Sequence, residues 1–395
     1  MTQLTGWGTL YYGFSLFIEP MQQDLGWSRS QIQSAATVAL LTWGALSPVV
    51  GYLLTQYGSR PVMTGGSVLG GVGLFVWALW PSTPWVFWSA WAMVGASMSM
   101  VLYEPAFAVL VRTARDHYQA AITALTLVGG FASTFFLPPI QWVIDGWGWH
   151  GAIFALAGAN LFVCAPLHVL GLPSRSAHSS ATGTDSQEAP APTKLFDMGL
   201  FREPAFKPSV FVGLALWFTL FQAASTALTF LLIPLLSARG VPMATILLCV
   251  ATIGPMQVAG RALLLGRAGT LRTSSVGTMI LVTTLLAVAV LISLPPTPTW
   301  LLLFAGLYGA AKGTMTIVRG TAVAEHMGAS VYARTNGWLA MTAKIAQAVL
   351  PVGLTVLWTS WKDPDAVIWA ILAVFLLSMS GLAVIHQQYE QSAPA

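Results

Sequence analysis

Apolar runs of about twenty residues, each closed by glycine, proline or charge, recur along the whole chain. A bilayer core roughly 30 Å thick asks for about 20 mostly apolar residues per crossing helix. Twelve stretches meet that requirement: residues 3–22, 33–55, 62–80, 85–111, 119–143, 150–170, 209–236, 243–266, 274–294, 300–323, 332–357 and 366–386. The pattern predicts an all-α membrane protein of twelve transmembrane helices. It breaks once at length, from Ser174 to Thr193, where Ser, Ala, Thr, Gly and Pro replace the apolar residues. Such a segment cannot bury enough surface to offset the entropy of ordering and reads as a flexible linker. The segment after it, KLFDMGLFREPAFKP, has the composition of a short amphipathic piece at the membrane surface or of a plain loop.

Composition agrees: 56% of the 395 residues are hydrophobic and 8% charged, against about 25% charged in soluble domains. The two cysteines, Cys164 and Cys249, fall inside predicted helices and read as small apolar packers. The amino terminus has neither a basic n-region nor a small-residue cleavage site, so the first apolar run is expected to stay as helix 1. Basic residues fix the expected orientation. With both termini cytoplasmic, the inner loops hold Arg60, Arg112, Arg115, Arg175, Lys194, Arg202, Lys207, Arg267, Arg272 and Arg334, and the outer loops only Arg29, Arg239 and Lys362. The expected location is the inner, plasma membrane, and the net charge of +4 calls for no nucleic-acid partner.

The linker separates six predicted helices from six, giving a bundle over 1–172, a linker over 173–207 and a second bundle over 208–395. The halves echo one another. WGTLYYGFS (Trp7–Ser15) aligns with WFTLFQAAS (Trp217–Ser225), and LYEPAFAV (Leu102–Val109) with IVRGTAVA (Ile317–Ala324), at offsets of 210 and 215. In the second pair Glu104 falls opposite Arg319. A 6 + 6 parallel duplication is the architecture of major facilitator transporters. GYLLTQYGSRP (Gly51–Pro61) resembles that family's loop signature between helices 2 and 3, with Gly51, Gly58 and Arg60 present and Thr55 at the acidic position. DGWGWHGAIFA (Asp145–Ala155) resembles its turn between helices 5 and 6. The resemblance implies two pseudo-symmetric six-helix bundles and a gating role for Arg60.

Four basic residues fall deep inside the predicted spans, all in the second half: Arg261, Lys312, Arg319 and Lys344. A Lys or Arg at mid-membrane costs at least about 2.5 kcal/mol, so such residues face partners or aqueous cavities. Against them stand only Glu104 and, near a helix end, Glu19. The balance is positive, and a travelling anion is the simplest source of the missing negative charge. Helical spacing puts Gln257 one turn before Arg261, Gln347 three residues after Lys344, and Tyr308, Lys312, Thr316 and Arg319 on one stripe. Tyr11, Tyr12 and Ser15 of helix 1, with Trp217, Phe221 and Gln222 of helix 7, are candidates for the walls of a small-ligand cavity. Each has a packing alternative. Arg261 lies roughly 9 Å along its helix from Arg267 and could serve a gate. Glu104 and Arg319, matched by the duplication, read as a gate or interdomain ion pair, with Glu104 the one deep acid available to carry a proton.

Arg261 together with the Thr342-Ala343-Lys344 triplet resembles the oxalate and monocarboxylate porters of the facilitator superfamily, in which a helix 8 arginine and, in one branch, a helix 11 lysine bind substrate carboxylate. Gln257 stands where the monocarboxylate branch commonly has an acid. A guanidinium offers a paired, planar grip on a carboxylate, and an ammonium a compact second charge.

GLYGAAKGT (Gly306–Thr314) lacks the glycine before lysine of a phosphate loop and lies in an apolar span. The glycines of GGSVLGGVG (Gly65–Gly73) suit helix packing. No histidine lies at mid-membrane and no HExxH occurs, so an enzyme, a metal or another cofactor is not expected. The expected activity is alternating-access transport of a small mono- or dicarboxylate, driven by protons or a counter-anion. Proton-coupled efflux of drug-like compounds, or a membrane sensor without net flux, stays open.

Overall fold

The computed structural model describes residues 1–173, 198–265 and 272–392. The expected linker, residues 174–197 within it, and the loop 266–271 lie outside the described residues, and with them Arg175, Lys194 and Arg267. Of the segment after the linker, Met198–Arg202 forms a short 3-10 turn.

The apolar runs are helical within a few residues of the predicted limits. The first pass is Thr2–Gly6 (α1), a π-helical segment Trp7–Tyr12, and Phe14–Leu25 (α2). Arg29–Tyr57 (α3) and Ser59–Leu79 (α4) follow, then the fourth pass in two pieces, Pro84–Val101 (α5) and Tyr103–Thr113 (α6). Tyr118–Gly130 (α7) and Ala132–Gly158 (α8) carry the fifth pass and turn into the sixth at Gly148. There φ is +73°, a conformation open to glycine and costly for a residue with a Cβ. A second π-helical segment, Ala159–Cys164, and Ala165–Gly171 (α9) complete that pass. The second half consists of Pro208–Ala238 (α10), Met243–Leu265 (α11), Thr273–Ser293 (α12), Pro298–Met327 (α13), Tyr332–Trp361 (α14) and Pro364–Ser392 (α15).

Ten of these runs are individually long and apolar enough to cross a membrane, one being the double pass Arg115–Gly171, while the interrupted first pass falls outside the count. Twelve passes result. Starts obey local chemistry. Ser28 caps α3 by accepting from the Gln31 N–H at 3.2 Å while its own N–H donates to Gln31 Oε1 at 3.0 Å. Pro84, Pro208 and Pro298 open α5, α10 and α13, positions where the missing N–H costs nothing.

The break in the fourth pass has an identifiable cause. Pro105 has no N–H for the Val101 carbonyl and its ring crowds that carbonyl, so the helix parts at Leu102. Gln3 Nε2 donates to the freed Val101 oxygen at 2.6 Å. In the same half, the two π segments are joined: Asn160 Nδ2 donates to Thr9 Oγ1 at 2.9 Å.

The chain forms two compact units. One comprises Met1–Leu110, Phe131–Glu203 and Ala329–Met341, the other Val111–Gly130, Pro204–Gly328 and Thr342–Ala395. In the first, the start of α14 lies close on α3, where a Cβ on Gly337 would reach Ser47 and Pro48 backbone. In the second, α11 crosses α13 at backbone contact distance: a Cβ at Gly313 would collide with the Gln257 carbonyl, and one at Gly260 with Ala310 backbone. Small residues let membrane helices approach this closely. Large apolar side chains such as Trp142, Trp147 and Phe162 point outward, as the lipid-facing surface of such bundles requires.

Candidate functional site

The α11–α13 crossing positions the charged cluster of the second unit. Between Ala311 and Val323 of α13 every residue is buried except Lys312, Thr316 and Arg319. Their spacing of four and three makes one accessible polar seam on an otherwise packed helix. α10 carries a matching line, Thr219, Gln222, Thr226 and Thr229, all with accessible surface. Lys312 Nζ donates to Thr229 Oγ1 at 2.8 Å and sits 5.7 Å from the centre of the Tyr308 ring. Tyr308, expected as part of the stripe, is fully buried: its hydroxyl donates to the Ser225 carbonyl at 2.9 Å and its ring stacks on Phe304.

Arg261 is 6% exposed. Its Nε donates to the Gly313 carbonyl at 3.3 Å and its Nη1 to the Thr126 carbonyl of α7 at 2.9 Å. Among the described residues its partners are these two neutral carbonyls, with no carboxylate. Gly130, one turn after Thr126, makes room for the guanidinium, since a Cβ there would collide with Nη1. The Arg261 and Lys312 charges lie within electrostatic range of each other. The acids of this half cannot meet them at mid-membrane. Residues 208–388 contain only Glu325, Asp363 and Asp365, all at helix ends. Asp365 pairs with Arg239 at 2.6 Å, Asp363 accepts from the Asp365 N–H, and Glu325 accepts from the Thr273 N–H and hydroxyl.

On α14, Lys344 and Gln347 are buried at 5% and 7% exposure. Gln347 Nε2 has no hydrogen-bond partner among the described residues. Thr342, half a turn before Lys344, accepts from the Thr219 hydroxyl at 2.7 Å and so ties α14 to the polar line of α10. Gln257 and Gln222 are both half-buried. The hydroxyls of α10 and the space-making Gly130 did not stand out in sequence. The former carry a sequence signal in the spacing of Thr219, Thr226 and Thr229 around Gln222; Gly130 had no local signal.

Two expected wall residues are corrected by their surroundings. Trp217 and Phe221 are fully buried, the first against Gly277 and Gly381, the second against Phe375. Both pack helices together, the tryptophan because Gly277 admits its ring while Gly381 lets the backbone of α15 approach its own.

In the first unit, Tyr11 and Tyr12 end the π segment of the first pass. Tyr11 is 39% exposed and Tyr12 half-buried. With Trp7, Trp43 and Tyr103 they form a ring cluster, Trp7 lying 5.3 Å from Tyr11 and 4.7 Å from Tyr103. Glu104 follows Tyr103 in the first turn of α6, just past the Pro105-induced break. Arg60 Nε donates to the Leu172 carbonyl at 2.9 Å, tying the start of α4 to the end of α9. Glu104 and Arg60 belong to the first unit and Arg319 to the second.

A polar seam of cations along otherwise buried helices, within twelve passes, is the build of a solute carrier. The sequence profile of the Major Facilitator Superfamily matches residues 4–351. The chain belongs to that superfamily. It is a multi-pass membrane transporter and not an enzyme. It is 30% identical to monocarboxylate transporter 11 of Mus musculus over 200 residues, 50% of this chain and 41% of that one. To monocarboxylate transporter 13 of Rattus norvegicus it is 25% identical over 163 residues, 41% of this chain and 36% of the other. The chain thus spans less than half the length of these curated relatives. Two crystal structures of the fucose:proton symporter FucP, one of them of the E. coli protein carrying a point substitution and the other in the outward conformation, superpose over 97% of this transporter and 96% of that protein, at TM-scores of 0.68 and 0.72. The identities are 14% and 13%, so that likeness concerns the fold alone.

Proposed function

We propose that this transporter is a secondary active carrier of a small organic anion bearing a carboxylate, working by alternating access in the inner membrane with both termini cytoplasmic. The observation that carries the reading is the state of Arg261: a buried guanidinium whose described partners are two neutral carbonyls. A carboxylate brings a full negative charge that neutral carbonyls lack and can take two guanidinium N–H groups at once, so it outcompetes those carbonyls for the same N–H groups. Lys344, buried on α14, supplies a second charge, and Gln257 and Gln347 supply hydrogen bonds. The names of the partly matching relatives support the same substrate class. Tyr11, Tyr12 and Gln222 are assigned to apolar and hydrogen-bonding contact with the solute, Glu104 to proton coupling, and Arg319 and Arg60 to gating.

Uptake of labelled pyruvate and succinate into proteoliposomes tests the reading. Wild-type protein accumulates at least one of them, and Arg261→Ala and Lys344→Ala each reduce uptake by about tenfold or more, which is at least about 1.4 kcal/mol. If both variants elute as monodisperse protein and transport like wild type, the assignment is wrong. Binding without flux identifies a sensor instead, and a preference for lipophilic cations an exporter. Glu104→Gln abolishes stimulation by an imposed proton gradient while leaving substrate exchange intact; unchanged stimulation removes Glu104 from the coupling.

A further inference from the structure

Lys312 is held as a ligand-binding group is held. Its ammonium has three N–H donors. One goes to Thr229 Oγ1 at 2.8 Å, and among the described residues no other protein acceptor is engaged. Thr229 spends its own proton on the Ser225 carbonyl at 2.7 Å, so its lone pairs face Lys312. The Tyr308 ring, fixed by its hydroxyl on the same Ser225 carbonyl, stabilises the cation from one side at 5.7 Å. The position is mid-membrane: Glu325 lies thirteen residues on, about 20 Å along the helix.

A tie between α10 and α13 needs no charge. A neutral amide would bridge Thr229 equally well without the cost of an ammonium at this depth, at least about 2.5 kcal/mol. The cation is also placed next to a like charge, because Arg261 bonds the carbonyl of Gly313, the residue following Lys312, and the two repel. Neither has a carboxylate partner among the described residues, and Lys312 keeps accessible surface on the polar seam. Two adjacent cations with donors to spare are matched by two separated negative groups.

We propose that Lys312, set by Thr229 and the Tyr308 ring, is a second anion subsite, so that the preferred substrates are dicarboxylates, one carboxylate on Arg261 and the other on Lys312. The inference rests on the reading of Arg261 as a carboxylate ligand.

The test compares succinate with succinamate, which has nearly the same shape but an uncharged amide at one end, and with propionate, all as competitors or labelled substrates in proteoliposomes of the full chain. A site built for a charged group discriminates strongly against the analogue that lacks it. Wild type is expected to favour succinate over succinamate by about tenfold or more. Lys312→Gln should erase that preference while changing propionate affinity less than about threefold, Lys312→Arg should keep it, and Thr229→Val should weaken it by about threefold. The wild-type comparison stands even if a variant fails to fold. Equal affinity for succinate and succinamate in wild type, or a preference untouched in folded Lys312→Gln, overturns the subsite. If Arg261→Gln then still abolishes monocarboxylate uptake, the carboxylate reading survives alone; wild type that takes none of the three acids overturns both.

Discussion

The two halves of the chain descend from one pattern yet distribute their irregularities differently. In the first, helices are interrupted in four of six passes: π segments at Trp7–Tyr12 and Ala159–Cys164, a break at Leu102 and another at Phe131. No basic residue lies at mid-membrane there. In the second, six continuous helices run through interior Pro234, Pro255 and Pro351, and all four deep cations are present. The contrast has a physical basis. A buried cation needs its donors aimed within a few tenths of an ångström, which uninterrupted, backbone-tight crossings such as Gly313 on Gln257 provide. Broken helices leave carbonyls that side chains must satisfy, as Gln3 does for Val101, and such joints are where a helix can change shape.

The comparison can be broken experimentally. The largest effect is expected for Arg261→Ala, which removes the buried guanidinium and lowers carboxylate affinity by about 2 kcal/mol or more, read as a rise of about thirtyfold in KM for uptake. Gly130→Ala should act on the same group from α7 by displacing Nη1, with a loss of about tenfold that Arg261→Lys partly restores; no restoration would mean that Gly130 acts through helix packing instead. Gly313→Leu overpacks the α11–α13 crossing and should lower stability by about 1–3 kcal/mol, measured as the melting temperature of the purified protein in detergent. Gln3→Leu strands the Val101 carbonyl and should cost about 1–3 kcal/mol. Asn160→Leu, which parts the two π segments, should cost about 0.6 kcal/mol while shifting transport rate more than substrate affinity. The smallest effect belongs to Glu203→Gln, whose pairing with Arg334 at 3.8 Å is half exposed on the glutamate side and worth a few tenths of a kcal/mol. A stability loss from Glu203→Gln larger than that from Gln3→Leu would invert the ranking and remove the case for satisfied breaks.

Hydropathy made all twelve passes legible because the bilayer imposes a length and a composition that few other constraints imitate. The second and twelfth helices extend past the predicted ends by several residues, to Arg29–Tyr57 and Pro364–Ser392, because capping and surface residues are polar while still helical. The deep cations were legible for the same reason, being anomalies in an apolar run. What went unread was direction. Trp217 and Phe221 carry the same helical signature as a cavity wall, but Gly277 admits the Trp217 ring into packing and Phe375 does the same for Phe221. Conversely, nothing in the local sequence distinguishes Thr219 and Thr229, taken singly, from other membrane-helix threonines, and only the packing sets Thr342 and the Lys312 ammonium on them.

The sequence by itself determined that this chain crosses a membrane twelve times, in two related halves, with more buried positive than negative charge. Those properties are sums over local composition, and a bilayer reads them without reference to neighbours. Only the tertiary structure decided that Arg261 rests on the carbonyls of Thr126 and Gly313, that Lys312 is anchored by Thr229 beside it, and that the acids of that half are occupied at helix ends. Those pairings join residues 52 to 135 positions apart, and no local rule ranks one distant partner above another until the helices have packed.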